Sequence, residues 1–390
     1  MVTPFSNRGF TLAELLVAMA VTVIALGLAA GLLTPVSVTF QALPEAADAQ
    51  QRLRAATQTL ADSIVEAGAG PVLGWAAGAV PAWPPVLPCR WGGEPLGTRP
   101  GGCAQTDAIT VIGTDATAPQ AMLAVDLAAV GAPFPVASLS ACALTLAACR
   151  FHADARAMVA DGTGAWDLVQ LSGVSADGAA LAHDGSPVTR LHRTGALVAE
   201  TRTAAYSLRG DPATHVSQLR QSTDGSADMP LADHVTLLQF EYFGEAAPPA
   251  VIDDADMARR RTTYGPLPPP DGVDEPLDAW PAGENCHFVR AGGPPAARQA
   301  ALPVESAGLA RLPLGLLADG PWCPDDATLN RYDADLLRIR LVRITLRVQA
   351  QSPASRGLDA GLFSQPGVAL EGGRLVPDLE VRVDAALRNR

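Results

Sequence analysis

Apolar and polar positions divide the chain into a membrane-like run, an amphipathic run and a long series of short alternating runs. From Leu15 to Leu33, 19 residues, Thr22 alone carries a polar side-chain group. A helix needs about 20 such residues to cross the hydrocarbon core of a bilayer, and no proline interrupts Phe10 to Leu33. The pattern predicts a membrane span over about residues 10–33. Beyond Pro44, apolar residues recur at three- and four-residue steps, at Ala46, Ala49, Leu53, Ala56, Leu60, Ile64 and Ala67, with charged and amide residues between them. Such a stripe lies on a globular domain. Gly68-Ala69-Gly70-Pro71 then offers glycines for a C-cap and a proline that blocks continuation. Residues 10–69 read as one helix, about 90 Å long if straight, with kinks or breaks expected at Pro35 and Pro44.

The rest alternates at the strand period. Strand-like runs lie at 108–112, 122–127, 167–171, 187–191, 201–208, 216–221 and 235–243, separated by Asp-Gly pairs at 161, 177, 184 and 224. Short strands joined by Asp-Gly turns indicate antiparallel hairpins. Two runs close the chain, 337–348 and 379–388. In the first, the apolar phase slips at Leu341-Val342, which predicts a β-bulge there. Gly244 to Asp335 breaks the pattern with Pro248-Pro249, Pro268-Pro269-Pro270 and Pro294-Pro295. A structureless loop of that length is foreign to a compact domain, so 244–335 is expected to be a Pro-rich insertion folded onto it. The predicted fold class is α+β: a long N-terminal helix, transmembrane then amphipathic, packed on an antiparallel β-sheet domain over 70–390 with a large loop insertion.

Composition narrows the chemistry. Hydrophobic residues make up 48% and charged residues 17%, which describes a folded chain. All 28 basic residues are arginine, so Schiff-base and Ser-Lys chemistry are excluded. A net charge of -12 repels nucleic-acid backbones, and no arginine run exceeds Arg259-Arg260-Arg261, so no nucleic-acid partner is expected. Six cysteines all follow the apolar run and hence lie outside the cytoplasm, where disulfides form. Sequential pairing, Cys89–Cys103, Cys142–Cys149 and Cys286–Cys323, is the simplest connectivity because each pair closes a short loop. No C-x-x-C is present, so no zinc site is expected. Asp253-Asp254 and Asp325-Asp326 lack the spacing of a calcium loop and read as solvated turns. Trp83 and Trp91 lie in a Pro- and Gly-rich stretch and could form a sugar-binding face or pack that loop down; packing is the expectation. There is no H-E-x-x-H, G-x-S-x-G or phosphate-binding loop, and the six histidines do not sit at ligand spacings. No enzyme, cofactor or metal is expected. Gly27 and Gly31 form a G-x-x-x-G, a pattern that lets membrane helices approach closely.

The start of the apolar run carries the functional signal. A cleaved signal peptide has a shorter core with small residues after it; here Gly9 stands before the core. A plain anchor explains everything except Glu14, a carboxylate just inside a span, where ionisable groups are costly and mark function. Arg8 places the leader on the cytoplasmic side. Gly9-Phe10-Thr11-Leu12-Ala13-Glu14-Leu15-Leu16-Val17-Ala18 resembles the processing and assembly segment of type IV prepilins and type II secretion pseudopilins. The resemblance implies a leader over 1–9, cleavage by prepilin peptidase between Gly9 and Phe10, and N-methylation of Phe10. It further implies that Glu14 pairs with the N-terminal amine of a neighbouring subunit; otherwise Glu14 snorkels to the headgroups.

The segments Ala204–Leu208, Leu219–Gln221, Leu231–Tyr242 and Ala386–Arg390 resemble strands of PilW-like minor pilins. That resemblance implies a structural subunit that primes or joins type IV pilus assembly near the tip. Its implied partners are other major and minor pilins and the inner-membrane assembly platform. Its implied location is the inner membrane, single-pass with a periplasmic C-terminal domain, and then the pilus. A minor pseudopilin of a type II secretion system is the alternative. A membrane-anchored adhesin, with 244–335 as its recognition surface, is the alternative of another class.

Overall fold

The computed structural model describes residues 11–68, 83–92, 96, 102–114, 118–127, 133–138, 150–160, 166–185, 188, 191–211, 213, 216–248, 286–289, 296–305, 308–323, 329–369 and 375–387; of residues 30–41, 138 and 289 it describes the backbone alone. One helix, α1 (Leu12–Val65), runs unbroken for 54 residues. It continues without a break through Pro35 and Pro44, where kinks or breaks were expected. Each proline removes a single backbone donor, and at Pro44 strong helix formers on both sides, Ala42-Leu43 and Glu45-Ala46-Ala47, carry the helix across. The chain falls into two compact units, Met1–Arg52 with Val348–Leu379, and Leu53–Arg347 with Glu380–Arg390.

In the larger unit, the last three turns of α1 bury Ala56, Leu60 and Ile64 completely. The Tyr206 hydroxyl hydrogen-bonds Ser63, and the Gly68 amide donates to the Ile112 carbonyl at 3.0 Å. Both partners belong to a five-stranded antiparallel sheet. Its order is β1 (Val86–Leu87), β2 (Ala108–Gly113), β9 (Arg202–Gly210), β10 (Ser217–Thr223) and β11 (Met229–Asp233), the numbers following the chain. β10 and β11 join at Asp224 (φ 51°) and Gly225 (φ 73°), the double left-handed turn that Asp-Gly favours. Thr110 on β2 receives the Trp91 amide at 2.9 Å and donates to the Cys89 carbonyl at 2.7 Å. It holds down a loop closed by the Cys89–Cys103 disulfide.

Between β2 and β9 the chain builds a closed barrel of six short strands, which the sequence reading did not anticipate. They are β3 (Gln120–Leu123), β4 (Phe134–Ser138), β5 (Arg156–Ala160), β6 (Trp166–Val174), β7 (Ala180–His183) and β8 (Leu197–Glu200), closing in the order β3-β4-β7-β6-β5-β8. Its interior is filled by Leu123, Phe134, Val136, Phe151, Val169 and Leu181, among others. A small barrel of this kind is a packed core, not a channel.

A four-stranded sheet follows, in the order β15 (Leu309–Leu312), β12 (Val235–Glu245), β18 (Ile339–Val348), β19 (Leu379–Ala386). The described parts of 244–335 add two-residue ribbons, β13 (Phe288–Val289) with β14 (Ala296–Ala297) and β16 (Trp322–Cys323) with β17 (Tyr332–Asp333). Arg338, 3% exposed, ties this region to β18. Its guanidinium donates to the carbonyls of Glu245, Ala246 and Ala300 at 2.8, 2.6 and 3.0 Å and to Asp335 Oδ1 at 2.8 Å.

The phase slip near Leu341 shows in the burial of β18, where Ile339 and Val342 are buried and Arg340 and Leu341 between them are only half-buried. Residues Ala334–Arg338 form a 3-10 helix, so Leu337 is not on a strand. The pairing of β18 with β19 then keeps one register on both sides of Leu341. The Leu387 amide donates to the Arg340 carbonyl, and ion pairs join Arg343 to Asp384 and Arg347 to Glu380.

In the smaller unit, the segment after β18 is fastened to α1 by side chains of the helix. The Glu45 carboxylate accepts the amides of Gln351 (2.9 Å) and Ser352 (3.1 Å), and Arg52 donates to the Gln349 carbonyl at 3.4 Å. Ala49, Ala350, Phe363 and Val376 are buried there.

Candidate functional site

The site begins where α1 begins. Thr11 lies just before the first helical residue, and its carbonyl accepts the Leu15 amide at 3.1 Å, the first bond of the helix. An N-terminus leaves its first amides without partners. Here Thr11 and Glu14 satisfy two of them reciprocally. The Glu14 amide donates to Thr11 Oγ1 at 3.3 Å, while the Thr11 amide and hydroxyl both donate to Glu14 Oε2 at 2.9 Å. This is a capping box. One carboxylate oxygen is engaged within the chain, and Oε1 makes no hydrogen bond among the described residues. Glu14 itself is exposed. Thr11 does not stand out by charge or hydropathy; the T-x-x-E spacing ahead of an apolar run is the signal that points to it.

Behind this cap, Leu12–Ala29 is long and apolar enough to cross a membrane, and none of it is buried. Thr22, its one polar side chain after Glu14, donates to the Ala18 carbonyl at 2.7 Å. Its hydroxyl is therefore satisfied within the helix, as a lipid environment requires. A Cβ added at Gly27 would meet nothing within 4 Å, so that face of the helix is open. Gly9, Phe10 and the side-chain environment of Gly31 lie outside the described residues. An exposed apolar helix headed by a carboxylate with one free oxygen can do two things: sit in a bilayer, and offer that oxygen to a cation.

The other candidate residues fall elsewhere. Cys89–Cys103 and Cys286–Cys323 are disulfides; Cys142 and Cys149 lie outside the described residues. Cys286, Cys323 and His287 lie close enough together to suggest a metal site. Both sulfurs are joined in the disulfide, however, which leaves no thiolate to ligate, and His287 Nδ1 is bonded to Gln299 Oε1 at 2.8 Å. Trp83 and Trp91 are 2% and 3% exposed, with Trp91 edge-on to Trp166 at 5.4 Å, so neither ring offers a face to a sugar. Beside the second disulfide, Asp333 accepts the amides of Gly320 and Asp335 at 2.6 and 2.8 Å. Burial nevertheless pushes its carboxyl up to about 7.

No curated protein and no solved structure matches the chain. Residues 5–30 match the family model described as the prokaryotic N-terminal methylation motif. That segment, the mark of the type IV prepilin and pseudopilin superfamily, implies processing by prepilin peptidase, and proteins of that family are structural rather than enzymatic. With a capped carboxylate at the head of an unburied apolar helix, the chain is a prepilin-like protein that carries this methylation motif.

Proposed function

We propose that this chain is a PilW-like minor pilin, a subunit that primes or joins type IV pilus assembly near the filament tip. The observation that carries the reading is Glu14, held at the head of the unburied apolar helix with one oxygen committed to Thr11 and the other free. In a dry helical assembly an unpaired carboxylate is costly and a paired one is tolerated. A neighbouring subunit's N-terminal ammonium at Oε1 supplies that pairing and fixes axial register. Before assembly the helix anchors the chain in the inner membrane, with the β-rich region on the periplasmic side. Cleavage after Gly9 and methylation of Phe10 create the amine that the next subunit's glutamate receives. Partners under this reading are the prepilin peptidase, the assembly platform and other pilins.

The deciding test is intact mass and N-terminal sequencing of the mature chain from cells with and without the peptidase. A chain starting at N-methylated Phe10 only when the peptidase is present supports the filament pathway. A chain still starting at Met1, or cut beyond Leu33, overturns it. Deletion of the gene then separates loss of piliation from loss of protein secretion, the readout of the pseudopilin alternative.

A further inference from the structure

The four-stranded sheet ends at β19 without being finished. Next to it, Val342, Ile344 and Leu346 on β18 are at most 1% exposed. The register fixed by Leu387–Arg340, Arg343–Asp384 and Arg347–Glu380 sets Val381 beside Leu346 and Val383 beside Ile344 on the same face. Yet Val381 and Val383 are only half-buried. The apolar layer therefore stops one strand short of its natural edge.

The backbone tells the same story. The Leu387 amide bonds across to β18. By antiparallel alternation, the amides and carbonyls of 381, 383 and 385 also face β18, and those of Glu380, Arg382, Asp384 and Ala386 face the open side. Among the described residues, nothing pairs with them there. Natural edge strands are blunted by proline, by charged side chains or by a bulge. β19, Leu-Glu-Val-Arg-Val-Asp-Ala-Ala, has no proline, and its contacts with β18 follow one unbroken register; what guards it is three exposed charges, Glu380, Arg382 and Asp384, which admit only a strand of complementary charge.

Its charges select the occupant. Arg382 is exposed and forms no ion pair among the described residues. Asp384, two residues on, is held on its own sheet by Arg343 at 2.6 and 2.9 Å, feels the Arg382 charge as well, and stays exposed on the strand. We propose that β19 pairs antiparallel with the β19 of a second copy of this chain, in the register centred on Val383. In that register Arg382 of each copy lies opposite Asp384 of the other, twice by symmetry. Val383 meets Val383 and Val381 meets Ala385 on the apolar face, and Glu380 lies opposite Ala386. The hydrogen-bonded pairs are then Arg382–Asp384 and Glu380–Ala386, the residues whose backbone groups face outward. The neighbouring registers of the same parity fail on charge: one sets Arg382 against Arg382 and Glu380 against Asp384, the other sets Asp384 against Asp384. Like charges directly opposite one another destabilise a sheet. One strand thus completes both the hydrogen-bond ladder and the apolar layer, the logic of strand addition. This pairing stands whether or not the filament reading does.

The test uses the full-length chain in its own membrane. The Val383 pair is a non-hydrogen-bonded one, with Cα atoms about 4.5 Å apart, inside the disulfide range. Val383→Cys is therefore expected to give a covalent species of twice the chain mass under a mild oxidant such as diamide. Should that variant fail to fold, exposed positions decide: Glu380→Cys and Ala386→Cys chains cross-link when co-expressed, and neither does so alone. Arg382→Glu is expected to lower the yield about tenfold by setting like charges opposite one another. The proposal is overturned by a folded Val383→Cys chain that stays monomeric. It is equally overturned by cross-linking of Glu380→Cys chains alone, or by a product that contains a different protein.

Discussion

His192 Nε2 and Asp167 Oδ2 are 2.8 Å apart at a point where neither side chain meets solvent. Asp167 alternates along β6 with Val169 and Leu171 and stands opposite Val159, so it lies on the inner face of the barrel. From outside the barrel, Asn330 Nδ2 donates to Asp167 Oδ1 at 2.5 Å, and Asn330 Oδ1 receives the Leu96 amide at 3.2 Å. One buried carboxylate thus joins the barrel to the turn at 329–330. Asp167→Ala leaves His192 and Asn330 without this acceptor. Breaking a buried pair costs about 3–5 kcal/mol, and urea unfolding of the purified full-length chain measures it. A loss below about 1 kcal/mol would show that water or a rearranged turn replaces the carboxylate.

The cap at Thr11 makes a local prediction and a functional one. Thr11→Val keeps the shape and removes the hydroxyl that links the Glu14 amide to its carboxylate. The Glu14 amide is expected to exchange its hydrogen about fivefold faster, the factor that a typical N-cap supplies, while Thr11→Ser restores protection. In cells, Glu14→Gln is expected to leave processing at Gly9 intact and to remove the subunit from sheared filaments. Processing lost together with assembly would instead assign Glu14 to recognition by the peptidase.

How much of this was legible follows from period and length. α1 was legible because an apolar run and an amphipathic run share one helical period up to Gly68, although Pro35 and Pro44 read as kinks or breaks and the helix carries through both. The turn at Asp224-Gly225 was legible because the dipeptide names its own backbone conformation. The barrel was not. β5, Arg-Ala-Met-Val-Ala, is buried on both faces and so does not alternate. β8 is four residues long, and its partner β3 lies nearly eighty positions away. The alternation at Leu337 misled because a 3-10 turn mimics it over a few residues. Glu14 stood out as a charge in an apolar run, whereas Thr11, an ordinary polar residue beside it, needed the cap geometry to show its part.

Glu45 makes a prediction confined to the smaller unit. Its carboxylate receives two backbone amides, Gln351 and Ser352, just before the 3-10 turn Pro353–Ser355. Hydrogen bonds to a charged group contribute about 1.5–3 kcal/mol. Glu45→Ala is expected to speed amide exchange at 351 and 352 and to raise proteolysis of the 353–369 segment, with little change in the unfolding of the β-rich unit. Global destabilisation of that unit by Glu45→Ala would contradict a purely local fastening.

Asp333 gives the chain a stability term that works against the usual direction for a carboxylate. Both its oxygens accept backbone amides, which favours the ionised form, but burial outweighs them and nearby Asp335 and Asp319 add to it, holding the carboxyl at about 7 rather than the ordinary 3.8. The native state therefore keeps its proton more tightly than the unfolded chain does. The contribution is fully present below about pH 4 and is lost as pH rises through about 7. Three pKa units correspond to about 4 kcal/mol at most. Asp335, also raised by burial, sits beside the Arg338 guanidinium, which offsets part of its own effect. Asp333→Asn removes the titrating group while losing one amide contact at every pH. The stability gap between the native chain and Asp333→Asn is thus expected to be widest near pH 4 and to narrow by up to about 4 kcal/mol by pH 8. Thermal unfolding of both chains across that range measures the gap. A gap that stays constant would mean that Asp333 is ionised throughout, and that its two amide donors outweigh its burial.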